Sequence, residues 1–423
     1  MKFIVNKSKI NGTIDIPGSK SHTIRALFFA SLADGESKVL KPLISEDATS
    51  AVKSCEAFGL KIKKINDGFA LDGLANKPQL PENIIDVGNS GTTLRIALGT
   101  AALIDGYTVF TGDEQIRNRL VEPVISAINN LGGFAATTKN NGKAPAIVKG
   151  VAKGGFTKLD GVSSQFLTSL LINCPLMEHD TTIKMIRLNE IPYVDITLWW
   201  LSKLGIKYEN QDYKTFYIKG GQKYKSFSQV IPADFSSATF FIVLAAISGG
   251  KITITNLDMT DPQGDKLVLK IIEDMGAKVT YSKEGITIEG GNLKGIEVDA
   301  NSIPDAIPAL AVAGCFAEGE TKLLNVPQAR LKETDRIKVM FEELTKMGAN
   351  IEELPDGLII RKSNLKPASV NGRKDHRVVM ALSLAGLCLN GETIIDTADA
   401  ASVTFPNFSE LIKICGGNIR SVE

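Results

Sequence analysis

The run RLKETDR, Arg330 to Arg336, places five charged side chains within seven residues, just ahead of the helix-like stretch IKVMFEELTKMG. Two readings are open: the solvated first turn of a surface helix, or cations and carboxylates held where anions react. Glu333, between Lys332 and Arg336, is the kind of carboxylate that moves protons once burial and charged neighbours set its affinity. Asp305 is the acid that opens the apolar run IPDAIPALAVAGCFAEG, so it either caps a helix or faces a ligand as a base. In GRKDHRVVMALSLAGL the trio Asp375, His376 and Arg377 opens another apolar run, where a structural and a catalytic histidine both fit.

The first half of the chain carries polar and basic groups in similar places. In IPGSKSHTIRALFFASLADG a turn at Pro17 and Gly18 leads into Ser19, Lys20 and Ser21, with Arg25 on the next turns. Free N–H groups at a helix start attract a phosphate or carboxylate, and Lys20 and Arg25 add full charges. A plain cap with a solvated lysine also fits, and the spacing is not that of a Walker loop. In DVGNSGTTLRIALGTAAL, Asn89, Ser90 and Gly91 precede Arg95, and Gly91 would let backbone approach a ligand closely. TGDEQIRNRLVEP adds Arg117 and Arg119, which either reach anions or flank a helix start. LDGVSSQFLTSLLI offers Ser163, Ser164 and Gln165, uncharged groups that suit phosphate oxygens or serve as caps. The Cys and His residues lack metal-ligand spacing and no GxSxG elbow is found, so the sequence predicts neither a bound metal nor a hydrolase triad. One anion site explains the recurrence of these groups better than six unrelated surfaces.

The elements that must position them repeat. The junctions AFGLKI, NLGGFA, KLGIKY, DMGAKV, KMGANI and ICGGNI each close an amphipathic segment on a glycine, at Gly59, Gly132, Gly205, Gly276, Gly348 and Gly416. Successive glycines are 73, 73, 71, 72 and 68 residues apart. A residue after a helix often needs the left-handed conformation, which costs a residue bearing a Cβ roughly 1 kcal/mol or more. Hairpin patterns such as AKVTYSKEGITIEG follow most junctions, whereas the last copy stops at GGNIRSVE and the chain opens on an unpaired strand, KFIVNKSKI. Pairing of the two termini repairs the last copy, so six units divide as three plus three, with chain crossings near IDIPGSK and VIPADFSS. Two halves place a ligand by default in the cleft between them.

Bulk properties exclude other classes. At 423 residues and 43% hydrophobic composition the chain supports two or three domains, and a net charge of +1 gives no field for nucleic acid or an acidic membrane. Five scattered cysteines fit a reducing, cytoplasmic setting, not a disulfide framework. The start resembles no signal peptide and FFIVLAAISGG is too short to cross a bilayer, so a soluble, unprocessed protein is expected.

Taken in order, PGSKSHTIRA, GNSGTTLR, SSQFLTSLL, PYVDITL, IPDA, RLKETDR and DHRVVMAL make the chain similar, nearly end to end, to the enolpyruvyl transferase family, in the branch whose acceptor is shikimate 3-phosphate. The resemblance implies an α/β fold, a two-domain inside-out α/β barrel of six βαβαββ repeats, three per domain. The implied domains are 18–231 and 1–17 plus 232–423, with the active site in the cleft between them and the halves closing on substrate. It implies transfer of enolpyruvyl from phosphoenolpyruvate to the 5-hydroxyl of shikimate 3-phosphate by a monomer that uses no cofactor. By motif position Lys20, Ser21, Arg25, Ser163, Ser164, Gln165, Gln328 and Lys332 are expected at shikimate 3-phosphate. Gly91, Arg119, Arg336 and Arg377 are expected at phosphoenolpyruvate, with Lys20 touching both substrates and Asn89 among the substrate-binding residues. Asp305 is expected as base for the hydroxyl and Glu333 as proton donor to the methylene carbon. Asp335 would orient a neighbouring arginine.

Three departures from the family pattern stand out. Val403 in SVTFP stands where relatives carry a Lys that contacts phosphoenolpyruvate, Leu120 replaces a Pro, and Glu190 in LNEIPYVD stands where relatives often have a Ser in the phosphate pocket. Loss of the lysine predicts phosphoenolpyruvate binding weaker by roughly 1 to 3 kcal/mol. The sister branch that acts on UDP-N-acetylglucosamine carries a reactive Cys before the Arg119 position, and TGDEQIRNR has none. A non-catalytic anion-binding relative is the other alternative, against which the full set of charged site residues argues.

Overall fold

The computed structural model describes residues 1–423, and the chain divides into two compact units, Met1–Ser19 with Pro232–Glu423, and Lys20–Ile231. The first crossing falls after Ser19, two residues beyond the expected boundary at 17–18. Local pairing accounts for the shift. Gly18 bridges Ala233, and the Ser19 N–H donates to the Pro232 carbonyl at 2.7 Å, so the turn residues stay with the terminal segments.

The strands form six four-stranded sheets of one pattern. In one repeat Ile85–Asp86 runs parallel to Tyr107–Thr111, which is antiparallel to Ala146–Lys149, which in turn pairs with Phe134–Thr137. Helix Gly91–Ala101 joins the two parallel strands, and the amphipathic helix Glu122–Asn130 leads into the hairpin. The other sheets follow the same order once three displaced strands are included. Ser228–Val230 runs parallel to Glu36–Leu40, and Asn11–Ile14 parallel to Lys251–Ile254. Lys2–Asn6 lies between Glu392–Asp396 and Asn418–Val422, in the slot that the last repeat's missing hairpin strand leaves. The six junction glycines all have positive φ, from 71° to 115°, a region that a side chain strains to reach.

The helix between the first two strands of a repeat is buried nearly all round. Every residue of Gly91–Ala101 and of His376–Leu387 is buried, and Ser164–Asn173 and Phe235–Ser248 are nearly so. Helices apolar on every side must be enclosed, and here three of them fill the middle of each unit with the sheets outside, an inside-out α/β arrangement. Four of the six join two parallel strands of one sheet, so each runs against both and starts at the carboxyl end of the first, whereas Lys20–Leu32 and Phe235–Ser248 follow the displaced strands. No helix is long and apolar enough to cross a membrane. All five cysteines are free thiols.

Candidate active site

In the unit Lys20–Ile231 the three buried helices are Lys20–Leu32, Gly91–Ala101 and Ser164–Asn173, and side chains tie their starts together. Arg25, from the first, donates from Nε to Thr197 Oγ1 at 2.8 Å, from Nη1 to the Ser21 carbonyl at 2.9 Å, and from Nη2 to Thr168 Oγ1 at 3.1 Å and the Tyr193 carbonyl at 2.9 Å. Those four bonds use four of a guanidinium's five donors and tie the starts of the helices together. Burial lowers its pKa to about 10, against a smaller upward pull from Tyr193, and it stays charged at neutral pH. Arg95, from the second helix, donates to Gln165 Oε1 at the start of the third and to the Leu120 carbonyl at 3.0 Å.

Gly91 lies against the end of Arg119. A Cβ built there would stand 2.5 Å from Arg119 Nη1 and 3.2 Å from Arg95 Nη1, so the missing side chain sets where these two cations rest. Arg119 is buried whereas Arg117 is exposed, which separates two arginines the sequence left equivalent. Asn89 holds the intervening loop through bonds to Asp113 at 2.5 Å and Gln115 at 2.6 Å. Lys20 Nζ is 3.1 Å from Asp47. Ser163 caps the third helix by accepting from the Gln165 N–H, and Glu190 reaches Ser164.

The other unit's buried helices are Phe235–Ser248, Ile307–Phe316 and His376–Leu387, and Arg377 at the start of the last touches the other two starts. Its Nη2 lies 2.9 Å from Asp305 Oδ2, and its Nη1 donates to the Ser236 carbonyl at 3.4 Å. Asp305 sits in the short turn Pro304–Ala306 just before its helix, and its other oxygen receives Arg336 at 2.8 Å, with Lys332 at 3.9 Å. Arg336 reaches Glu333 Oε2 at 2.6 Å and Asp375 through Nε at 2.9 Å, and Thr334 donates to the same Asp375 oxygen at 3.0 Å.

RLKETDR is therefore both of the things it could be. Asp335 caps the helix Arg336–Lys346 by accepting from the Lys338 N–H and pairs with Arg330, which faces away toward Glu353 and the Leu354 carbonyl. Lys332, Glu333 and the fully buried Arg336 turn inward. Burial works to lower the Arg336 pKa, but Asp375, Glu333 and Asp305 outweigh it and raise the guanidinium above its ordinary value. For Asp375 burial pushes the carboxyl up, and Arg336 reverses this and holds it below the usual carboxylate range. Gln328 donates to the Asn301 carbonyl at 2.9 Å, while its own buried Oε1 has no protein partner. Val403 ends the segment Ala398–Val403, half-buried.

The clusters of the two units differ in charge. Lys332, Arg336 and Arg377 face Asp305, Glu333 and Asp375, three of each sign. The cluster in Lys20–Ile231 holds Lys20, Arg25, Arg95 and Arg119 against Asp47 and Glu190. This second cluster is thus suited to receive anions at helix starts, and the first to hold carboxylates among cations. Sequence reasoning gave no role to Asp47, and none to Asp375 beyond its place beside His376. Asp47 lies in the first turn of the helix Glu46–Ala57, which Ser45 caps, and Asp375 caps its own helix by accepting the Arg377 N–H at 2.9 Å.

Two units of three repeats, with charged groups gathered at the starts of their buried helices, define the enolpyruvyl transferase class of fold. The profile of EPSP synthase (3-phosphoshikimate 1-carboxyvinyltransferase) matches residues 4–412, and the chain belongs to that family. It is 62% identical over 423 residues to the 3-phosphoshikimate 1-carboxyvinyltransferase of Acetivibrio thermocellus, covering 100% of both chains. It is 61% identical to that of Ruminiclostridium cellulolyticum, covering 99% of each. A solved EPSP synthase from Acinetobacter baumannii superposes with a TM-score of 0.83 at 27% identity, covering 100% of both chains.

Proposed function

We propose that this chain transfers the enolpyruvyl group of phosphoenolpyruvate to the 5-hydroxyl of shikimate 3-phosphate, yielding 5-enolpyruvylshikimate 3-phosphate and phosphate. Each reactant carries a carboxylate and a phosphate of about −1.5 to −2, so the pair brings roughly −5 to −6. Seven cations, four in one unit and three in the other, are the groups available to answer that charge.

Lys20, Ser21, Arg25, Ser163, Ser164, Gln165, Gln328 and Lys332 take shikimate 3-phosphate, and Arg25 also ties the helices of its own unit together. Gln328 brings a buried acceptor not yet used by the protein. Asn89, Gly91, Arg119, Arg336 and Arg377 take phosphoenolpyruvate. Lys20 contacts both reactants. All three nitrogens of Arg336 already meet carboxylates of the protein, so an incoming anion competes with those carboxylates for it.

The hydroxyl oxygen bonds to C2 and its proton passes to Asp305, while C3 takes a proton from Glu333. The tetrahedral adduct then returns a C3 proton to Glu333 as the C2–O bond to the phosphate breaks and phosphate leaves. Arg336 and Arg377 neutralise the charge that develops on the phosphoenolpyruvate side. The observation that carries this reading is Asp305 held by Arg336, Arg377 and Lys332 beside Glu333 on the same arginine. Phosphate release measured with phosphoenolpyruvate and shikimate 3-phosphate tests it. Release with UDP-N-acetylglucosamine instead, or with neither acceptor, overturns it.

A further inference from the structure

Glu190 occupies a place that a neutral residue would fill more simply. It stands at the N-cap of helix Ile191–Lys203 in the left-handed conformation, φ 59° and ψ 41°, and its side chain makes no capping bond to its own helix. It reaches across to another helix instead. Its Oε2 accepts the main-chain N–H of Ser164 at 3.2 Å and the Ser164 hydroxyl at 2.7 Å, and the residue is 1% exposed. The backbone is pinned on both sides, by the Asn189 N–H to the Gly161 carbonyl at 3.0 Å and the Tyr193 N–H to the Glu190 carbonyl at 3.0 Å. A carboxylate at a helix start takes the position that favours any anion there.

The proposed function places Ser164 at shikimate 3-phosphate, whose phosphate is the anion suited to these two donors, and the role of Glu190 rests on that reading. Two anions cannot share one N–H and one hydroxyl. We propose that Glu190 sets acceptor affinity as an internal anion: it competes with the substrate's phosphate for Ser164 and must give up those donors when the acceptor binds. Relatives with Ser at this position lack the competitor, so the chain carries a built-in threshold that only a multiply charged phosphoryl group crosses. Glu190 is thereby a specificity-determining residue, and it takes no part in proton transfer.

The test compares wild type with Glu190→Gln, which keeps an acceptor oxygen but drops the charge, and with Glu190→Ser, which removes the competitor altogether. Both variants should lower the KM and the calorimetric Kd for shikimate 3-phosphate by about tenfold, the worth of a charge-assisted contact that no longer has to be surrendered. KM for phosphoenolpyruvate should stay within about twofold, and inorganic phosphate should become a stronger competitor of the acceptor. An unchanged or weaker affinity for shikimate 3-phosphate in a variant that melts at the wild-type temperature overturns the proposal, because Glu190 would then be neutral or a direct ligand. If the wild type binds the acceptor but releases no phosphate, the functional reading fails, while the calorimetric comparison still decides the role of Glu190. Should one variant fail to fold, the other carries the comparison.

Discussion

Arg336 and Asp305 meet at 2.8 Å, Nη1 to Oδ1, and the other amino group of the same guanidinium lies 2.6 Å from Glu333. One arginine thereby couples the two carboxylates to which the proposed reaction assigns different protons. Their positions are set together, since Asp375 in turn anchors Arg336 from behind.

Removing the charge of Asp305 should stop proton transfer without unfolding the unit. Asp305→Asn keeps the side-chain volume and leaves Arg336 paired with Glu333 and Asp375. The expected outcome is a kcat lower by about 10²- to 10⁴-fold, the usual share of a general base. Steady-state phosphate release checks it, and a loss below tenfold would assign the hydroxyl's proton to another group.

Gly91→Ala should act through Arg119. The added methyl group meets the flexible end of that side chain, not backbone, so folding is little affected while the cation is pushed aside. KM for phosphoenolpyruvate should rise roughly tenfold, as a displaced charge-assisted contact implies, with KM for shikimate 3-phosphate nearly unchanged. Kinetics that varied each substrate in turn would show the split.

Val403→Lys should restore a cation where relatives carry one. The position is half-buried at the end of its segment. KM for phosphoenolpyruvate should fall by about 5- to 150-fold, matching roughly 1 to 3 kcal/mol. An unchanged or higher KM would mean the arginines present already saturate that substrate's charge.

Asp375 links the cluster to stability. Its folded pKa is depressed, so its contribution is fully present above the unfolded carboxyl value of about 3.9 and is lost as pH falls through the folded value. Asp375→Asn should cost about 3 to 5 kcal/mol at pH 7, because Arg336 is left buried with less compensation. Between pH 7 and pH 3 the urea midpoint should fall farther for wild type than for the variant. Equal falls would show that other carboxylates govern acid unfolding.

Much of this protein was readable before any coordinates. The period of Gly59, Gly132, Gly205, Gly276, Gly348 and Gly416 announces six repeats, because a left-handed helix end tolerates few residues besides glycine. The short motifs at the apolar-helix starts marked the charged groups, because local composition carries capping and anion-binding chemistry. Pairings were another matter. Arg117 and Arg119 look alike in the chain, yet one is exposed and the other is buried beside Gly91. Arg25 shows nothing in its own motif of Thr168, Thr197 and Tyr193, which meet it from residues far along the chain. Partners such as Asp375 for Arg336 and Ser164 for Glu190 lie 39 and 26 residues away in sequence. Contacts at such separations depend on how three helices pack within a unit, a long-range property that no local pattern encodes.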